Sequence, residues 1–441
     1  MFKQALFVSS LLAVSVSSAM AETYGFFDAR SVAMGNTSVA TGSMSSAAFS
    51  NPALLVNNVS DDSFIISLGV GGVLEDNGNV IDTVDSFQGV ENELTPLVNE
   101  VERLTNVNNL AALSAEFGGD PVALNNAQLA AADALITKTN EEIAVVNTLN
   151  GDSLQGKASP GVMIGYSGDT FALAASYQVN FAFSGGVIDL LVPNLPTASA
   201  VVNQALAGAS VANIVGNPTG TVVAIGTRTD EVGLSIATKL SIAGMDVAIG
   251  VKPKVVSAEA ISYNQSLETF NSSDIINNTS EKLGSFTTLD AGFTVDISDS
   301  FRLGLVGTNL VSKELKFADG FNSIKYDTQL RAGAAYNNSF FTFAVDMDLN
   351  ESNPVIFRNA TLAAPVQFGE ATKMLALGME LNAFDYLQLR FGYQDNIASG
   401  ATSDPLLSAG LGLWLLGVNL EVSAVGNSNS LGAFVQAGVR F

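Results

Sequence analysis

The chain alternates apolar and polar residues along much of its length, and this rhythm limits its fold more than any other feature. In Leu387–Gln394 and Val418–Ala424 nearly every second residue is apolar, and the stretches 171–183 and 341–349 repeat the pattern. Successive side chains of a β-strand point to opposite faces, so the pattern predicts strands with one apolar and one polar face. Beyond the N-terminus no apolar run is long enough for a membrane helix. The alternation therefore favours membrane-spanning β-strands.

The composition agrees with this interpretation. The chain is 47% hydrophobic and only 14% charged, with a mean hydropathy of +0.32. A soluble protein usually carries about a quarter of its residues as charged side chains. High hydropathy without a long apolar run is typical of a transmembrane barrel, although a soluble β-sandwich also alternates.

The absence of two residue types narrows the range of possible functions. The chain has no cysteine and no histidine, which excludes disulfides and thiol chemistry and removes the usual general base and transition-metal ligand. No phosphate-binding loop, catalytic triad or complete calcium loop is present. We therefore expect no enzyme activity, no cofactor and no metal site. The net charge of −23 argues against nucleic-acid binding, which requires clustered Lys and Arg.

The N-terminus predicts export. Lys3 precedes a short apolar run, Ala5–Val16, and Ala19-Met20-Ala21 is a small-x-small cleavage site. We interpret 1–21 as a signal peptide cleaved near Ala21, because the run is too short for the alternative, a membrane-anchoring helix. The expected location is the outer membrane of a Gram-negative bacterium.

The links between the predicted strands alternate between tight and long. Tight turns are expected near 167–169, 243–244, 298–299, 337–338, 383–385 and 416–417. Long links fall at 75–158, 184–219, 261–281, 313–323, 350–371, 398–403 and 428–430. Short periplasmic turns and long extracellular loops are typical of outer-membrane barrels. The sequence thus predicts an all-β transmembrane fold, an antiparallel barrel of about fourteen strands over 62–441, with both ends on the short-turn side.

Charged residues on the polar strand faces are expected to point into the barrel. An Arg or Lys facing lipid at mid-membrane costs ~2–4 kcal/mol. The predicted lumen charges are Lys239, Asp246, Asp290, Arg302, Arg331, Asp346, Glu380, Arg390 and Glu421. We interpret them as a structural network of ion pairs; the alternative is a substrate-binding site.

Two long links carry helical patterns. In 83–150, apolar stripes with three-four spacing run from Phe87 to Leu104 and from Leu129 to Val146, and Asp120-Pro121 marks a helix start. We expect a helical insertion whose acidic side chains form a solvated face. The second link, 197–215, is rich in Ala and Val and predicts a short helical loop. It packs against other loops or, alternatively, docks an apolar ligand.

The most specific sequence motifs lie in 26–55, where Ala29-Arg30-Ser31-Val32-Ala33-Met34-Gly35 is followed by Asn51-Pro52-Ala53-Leu54-Leu55. It resembles the FadL-like outer-membrane superfamily, and within it the barrels grouped as conjugal transfer protein TraF. The resemblance implies an N-terminal hatch, 22–61, inside the lumen. The hatch motif is Arg30, Met34, Gly35, Asn51, Pro52 and Ala53. A flexible periplasmic leader is the alternative.

The resemblance also implies partners and a function. The terminal strand ending at Phe441 resembles the C-terminal signal of outer-membrane proteins, which implies recognition by the barrel-assembly machinery and insertion into outer-membrane lipid. FadL-like barrels imply passage of small hydrophobic molecules, such as long-chain fatty acids. The alternative is a structural or interaction component of a conjugative-transfer or cell-surface assembly, with 83–150 as its contact surface.

Overall fold

The structure is a computed structural model that describes residues 28–56, 63–78, 80–149, 152–216, 218–266, 281–318, 322–353, 355–357, 366–368, 370–383 and 386–441. The predicted signal peptide, 1–21, and both ends of the predicted hatch, 22–27 and 57–61, lie outside these residues. Among the helices so described, none combines the length and the apolar character needed to cross a membrane.

Most of the chain forms strands. In chain order they are β1 (Phe64–Asn77), β2 (Ser153–Ala158), β3 (Gly161–Ser167), β4 (Phe171–Leu191), β5 (Thr219–Ile242), β6 (Met245–Ser266), β7 (Glu281–Ser298), β8 (Phe301–Thr308), β9 (Lys313–Lys316), β10 (Ser323–Tyr326), β11 (Gln329–Asn337), β12 (Phe341–Asp348), β13 (Val355–Phe357), β14 (Val366–Phe368), β15 (Met374–Ala383), β16 (Leu387–Asn396), β17 (Leu406–Leu415), β18 (Val418–Gly426) and β19 (Ser430–Arg440).

Every strand except β9, β10, β13 and β14 joins one antiparallel sheet. The segments β2 and β3 lie end to end, because both pair with β1 and with β4. Counted as one strand, they give a barrel of fourteen strands, as the sequence predicts. The barrel closes where β19 pairs with β1 over Ile65–Glu75.

The start of the first barrel strand and the end of the last one lie side by side. Phe64 and Phe441 exchange backbone hydrogen bonds of 3.0 and 3.1 Å, and their rings stack at 5.8 Å. The predicted turn 383–385 lies mostly outside the described residues. The other tight turns lie at this same end, and two of them, Ala243-Gly244 and Leu416-Gly417, have positive φ at both residues. Such turns match the right-handed twist of paired strands. The even strand number thus brings both termini to the short-turn end.

The strand faces divide as the alternation predicts. The outward residues are apolar and exposed, for example Phe343, Val345 and Met347 on β12, whereas Asp346 between them is 1% exposed. Exposed aromatic side chains gather at the short-turn end. They are Phe64, Tyr166, Phe171, Phe301, Tyr336, Phe340, Tyr386 and Phe441. An apolar band edged by aromatic rings is the surface that a barrel presents to a lipid bilayer.

The barrel mouth is much higher on one side. On β5 the exposed apolar residues run from Ile242 to Val232, a rise of about 25 Å at about 3.3 Å per residue and a tilt of about 40°. Above them the outward face turns polar: Tyr177 donates to Asp230 at 2.5 Å, and Asp230 pairs with Arg228 at 2.9 Å. The upper parts of β4–β7 therefore stand above the lipid-facing band.

Helices occupy the N-terminal segment 28–56 and two long links. They are α1 (Ala29–Ala33), α2 (Val80–Thr105), α3 (Leu110–Glu116), α4 (Pro121–Thr148), α5 (Ala198–Leu206) and α6 (Val211–Val215), with 3-10 turns at Pro52–Val56 and Val107–Asn109. The start of α4 is as expected, since the Asp120 carboxylate accepts from Val122 N at 2.8 Å and Pro121 follows it. The helical insertion of the predicted fold is thus present.

The two helical links pack on each other. Val101 of α2 and Leu135 of α4 form one buried cluster with Val201 of α5 and Val211 of α6. Among the side chains of the insertion that the structure describes, most acidic ones are exposed, as Glu100 and Glu116 are beside Arg103. One acidic residue departs from the expected solvated face: Glu142 is 7% exposed, because it lies on the buried stripe of α4 with Leu135, Thr139 and Val146.

Candidate functional site: a plugged lumen

The segment 28–56 lies inside the barrel. All of its residues are buried except Arg30, Thr41, Gly42 and Ser43, which are half-buried. Helix α1 packs against β16–β19, and the 3-10 turn Pro52–Val56 packs against β4–β7 on the opposite side. We call this segment the plug. It crosses the lumen from one wall to the other.

The plug carries one cation into the wall on the β15–β18 side. Arg30 Nε lies 2.9 Å from Glu380 Oε2, and Arg30 Nη2 lies 3.2 Å from Glu380 Oε1. The same carboxylate pairs with Arg390 at 2.6 Å, and Arg390 reaches Glu421 at 3.4 Å. Two Arg and two Glu thus form a buried row, one of the Arg comes from the plug, and the buried Asp28 carboxylate lies within electrostatic range of Arg30 and Glu421.

A second anchor joins the plug to β12. Asp346 Oδ2 accepts the backbone N–H groups of Ser38 at 2.7 Å and Val39 at 2.9 Å. Arg331 lies 3.8 Å from Asp346 and 3.5 Å from Asp348, and it donates to Asn36 O at 3.2 Å. Charge-assisted hydrogen bonds to backbone N–H groups are strong, so this carboxylate fixes the bend of the plug.

The motif residues meet the wall where it has no side chains. A Cβ on Gly392 would fall 1.8 Å from Gly35 N, and a Cβ on Gly292 would fall 1.8 Å from Asn51 Oδ1. Asn51 Nδ2 donates to Val39 O at 2.8 Å, and its Oδ1 accepts from Ala53 N at 3.0 Å. The plug backbone therefore touches the barrel backbone, which only glycine in the wall permits.

Such glycines recur on neighbouring strands. Those whose added Cβ would meet plug atoms at under 3.0 Å are Gly250, Gly292, Gly304, Gly333, Gly378, Gly392 and Gly410. Several face each other in the sheet register, as Gly250 faces Gly292 and Gly304 faces Gly333. They form a glycine belt on the inner wall, and the plug fits tightly against it.

Apolar packing seals the other side of the plug. Phe49, Leu54 and Leu55 pack with Ile65 of β1 and Met163 of β3. This cluster lies near the short-turn end of β1 and β3, opposite the Arg30 ion pair. Burial of this apolar surface contributes about 25 cal/mol per Å², so the plug is fixed by charge on one side and by apolar contact on the other.

Beside Phe49 lies a second buried charge cluster. Glu231 pairs with Lys252 and, at 2.8 Å, with Lys254, and Lys254 lies 3.0 Å from Asp290. All four side chains are at most 7% exposed. Lys252 Nζ also lies 5.7 Å from the Phe49 ring centroid, a cation–π distance. The two lysines and the two carboxylates of this cluster neutralise each other's charge.

The remaining predicted lumen charges lie at the short-turn rim. Lys239 pairs with Asp246 at 2.7 Å and Arg302 pairs with Asp296 at 2.5 Å. Their side chains are 25–46% exposed, so these pairs belong to the rim rather than to the plug contacts. The structure thus brings Glu380, Arg390 and Glu421 together, places Arg331 beside Asp346, and keeps Asp290 in a separate cluster.

Above the second charge cluster the inner wall becomes apolar. Val223 and Ile225 of β5 share the lumen-facing side with Glu231, and Val256 of β6 shares it with Lys254. They pack with Ala258, Ala260 and Ile188, and against the hairpin β9–β10 through Leu315, Phe317, Ile324 and Tyr326. We call the cluster of Ile188, Val223, Ile225, Val256, Ala258 and Ala260 the upper wall. On the β4–β7 side, the long-loop end of the lumen therefore carries an apolar patch, which Thr227 and Thr229 of β5 separate from the charge cluster.

Sequence reasoning missed several of these residues. Glu231 and Lys254 alternate with the exposed Val232 and Val255, and that alternation was signal enough to find them. Strand β9 fell inside the predicted link 313–323 and most of β10 was merged with the predicted strand after it, because strands of four residues are too short for a periodic signal.

Comparison with known proteins agrees with this fold. The structure titled "TodX deltaS2S3 mutant monoaromatic hydrocarbon channel" is 11% identical over 94% of this chain and 99% of that chain, with a TM-score of 0.50. The Ralstonia pickettii toluene transporter TbuX is 11% identical over 95% and 99% of the two chains, at 0.49. A Pseudomonas aeruginosa FadL homologue is 10% identical over 96% and 99%, at 0.44. At such identities the likeness concerns the fold alone.

No curated protein sequence matches the chain. The sequence profile of one family, described as "F plasmid transfer operon, TraF, protein", matches residues 48–348. Both comparisons confirm the resemblance seen in the sequence, a FadL-like barrel of the TraF-named group. Since the profile covers more than half of the chain, the protein belongs to the TraF family, and its fold is that of a FadL-like outer-membrane barrel.

Proposed function

We propose that the protein is an outer-membrane channel for small hydrophobic molecules. The observation that carries the proposal is the upper wall: Val223, Ile225 and Val256 line the lumen above the plug, where an open porin would be polar and filled with water. An apolar wall binds apolar molecules by removing their surface from water, at about 25 cal/mol per Å². The titles of similar solved structures, which name hydrocarbon channels and toluene transporters, support the same class.

The plug sets how such a molecule would pass. Its contacts with the wall leave Ala29, Val32 and Leu54 at most 1% exposed, so water and ions are kept out while the plug is seated. In the proposed cycle a ligand binds at the extracellular end, and the plug segment moves enough to release it to the periplasm. The balanced ion pair of Arg30 and Glu380 is the contact that this movement must break.

Uptake by whole cells tests the channel. Cells that express the protein and cells that lack it would be given a labelled uncharged hydrocarbon and a labelled long-chain fatty acid. We expect faster uptake of one or both when the protein is present, because outer-membrane lipid slows the entrance of apolar molecules. Equal uptake of both compounds in both strains would contradict the proposal.

A second function, as an interaction component of a surface or conjugative assembly, is favoured by one observation. The tip of the helical insertion exposes Val107, Leu110 and Val122 at 51%, 38% and 64%, far along α2 from the barrel. We propose that this tip would contact a partner protein. Replacing the three residues by Ser should lower conjugation frequency in a donor strain while barrel assembly, read by heat-modifiable gel mobility, stays normal. An unchanged frequency would remove this candidate.

A further inference from the structure

The hairpin β9–β10 is a separate piece of sheet. Within the part of the chain that the structure describes, its strands pair only with each other, from Ser323 opposite Lys316 to Tyr326 opposite Lys313, and the hairpin does not join the barrel sheet. An isolated two-stranded hairpin is marginally stable in water. Its order therefore depends on the surface that it covers.

That surface is the upper wall. Leu315, Phe317, Ile324 and Tyr326 are 3–7% exposed and pack on the apolar residues of β4–β7, with the Tyr326 and Phe286 rings 5.0 Å apart. The opposite face of the hairpin points to solvent, as Lys325 shows with its side chain 60% exposed. The hairpin thus lies on the upper wall by one apolar face.

Hydrogen bonds fix the hairpin at its two ends and at one point along it. Asn309 N donates to Asp290 Oδ1 at 2.8 Å, and Leu310 N donates to Leu289 O at 2.9 Å. At the other end Thr328 Oγ1 donates to Asn309 O at 2.9 Å. Between them, Ala318 N donates to Glu281 Oε1 at 2.5 Å. Displacement of the apolar face would keep both ends attached and would have to break the hydrogen bond between Ala318 and Glu281.

The charges below the upper wall are already matched. Lys252 and Lys254 each lie within ion-pair distance of Glu231, and Lys254 also lies near Asp290. A ligand carboxylate held against the upper wall would have to separate one of these buried pairs or remain unpaired, and an unpaired buried charge is costly. An uncharged ligand avoids this cost.

We propose that the hairpin β9–β10 is a lid that competes with the ligand: the upper wall beneath it is a binding site for an uncharged apolar molecule, and the molecule binds by displacing Leu315, Phe317, Ile324 and Tyr326. The inference rests on the proposed channel function. Since lid and ligand bury the same surface, apparent affinity is lowered by the fraction of chains in which the lid is closed.

The test uses the full chain in detergent or lipid vesicles and two probes that differ by one carboxylate, naphthalene and 2-naphthoate. The protein has no cysteine, so Lys325→Cys gives a single site for a nitroxide spin label on the solvent face of the hairpin. At neutral pH naphthalene should bind saturably and increase the mobile fraction of the label. The affinity for 2-naphthoate should be lower by about tenfold or more.

A pair of variants separates the lid from the wall. Phe317→Ser removes an apolar contact of the lid and should raise the affinity for naphthalene by about tenfold. Lys316→Ser, on the adjacent exposed residue, should leave that affinity unchanged. Gel mobility would confirm that both variants form barrels. A label that stays immobile at saturating naphthalene, a lower affinity in Phe317→Ser, or equal binding of 2-naphthoate would each overturn the lid and its selectivity.

Cell uptake distinguishes the two levels of the proposal. If cells take up naphthalene through the protein while the label stays immobile, the lid is wrong and the channel stands. If naphthalene does not bind and neither naphthalene nor the long-chain fatty acid enters faster, both fail together. Uptake with label movement and tighter binding by Phe317→Ser supports both.

Discussion

Removal of the plug cation is the sharpest perturbation that the lumen offers. In Arg30→Met the neighbouring Arg390 is left alone with Glu380 and Glu421, so one carboxylate is unmatched inside the barrel. The Arg30 and Glu380 side chains are 11% and 9% exposed. Breaking a buried ion pair by removing one partner costs about 3–5 kcal/mol.

The loss should appear in the plug rather than in the barrel, because the barrel strands keep their own hydrogen bonds. Because both side chains are slightly exposed, the cost lies near the lower end, at about 3 kcal/mol. That cost raises the population of the open plug, and with it the exchange rate, by about a hundredfold. Hydrogen exchange of the amides in 28–56 measures this directly. We expect their protection to fall by about a hundredfold while the amides of β5 and β6 keep theirs.

Two further variants serve as controls for the exchange experiment. In Arg30→Met/Glu380→Gln one Arg faces one Glu again, so protection of the plug should return to within about tenfold of the wild type. Lys138→Met breaks exposed pairs with Glu93 and Glu141, worth about 0–1 kcal/mol, and should leave the plug unaffected. Wild-type exchange in Arg30→Met would refute the view that this ion pair holds the plug.

The other predictions concern the wall, the lipid face and a loop. Gly392→Ala, whose Cβ would lie 1.8 Å from plug backbone, should expose plug amides to exchange, whereas Gly69→Ala, whose nearest neighbour is at 3.7 Å, should not; equal exchange would contradict the tight fit. Leu411→Arg, on the lipid-facing side, should cost ~2–4 kcal/mol and lower the heat-modifiable fraction on gels, whereas Leu416→Arg in the exposed turn should cost ~0–1 kcal/mol; similar losses would reverse the face assignment. Burial raises the pKa of Glu370, but hydrogen bonds from Ser403, Thr402 and Asn396 outweigh it and hold that pKa below its ordinary value of 4.5. Because the folded pKa is lowered, the stabilisation is present above pH 4.5 and is lost as pH falls through the folded value, so the amides of the loop between β16 and β17 should lose protection only in acid, while Glu370→Gln should show weaker protection already at neutral pH; pH-independent protection in the wild type would contradict this.

The sequence predicted the barrel well where one strand face meets lipid and the other meets a polar lumen. In Val418–Ala424 and Leu387–Gln394 that contrast is complete, and the predicted strands agree with β18 and β16 within two residues. Above the membrane the contrast disappears, because both faces of the tall strands are partly covered. The predicted strand 170–183 therefore ended early, while β4 runs to Leu191.

Short and interrupted strands were missed for a related reason. Strand β2 was assigned to the long link 75–158, since Ser159-Pro160 interrupts the alternation and Pro cannot donate in a ladder. The hairpin β9–β10 gains its order from the upper wall, which lies far away in sequence. Local pattern carries no information about such a surface.

The site was half visible in the sequence. The charges Arg331, Asp346, Glu380, Arg390 and Glu421 followed from strand parity alone, since each shares a face with polar neighbours. Their partners in the plug did not, because Arg30 meets Glu380 across 350 residues. The glycine belt was equally hidden, since single glycines on separate strands align only once the register of the sheet is known.

Ion conductance across a planar bilayer tests the central claim, a closed barrel whose lumen is filled by its own N-terminal segment. The full chain should insert with almost no steady current, because the buried plug spans the lumen from one wall to the other, and Arg30→Met should add brief openings. A large, steady conductance from the full chain would contradict the account, since an open aqueous pore cannot coexist with a plug that touches the wall.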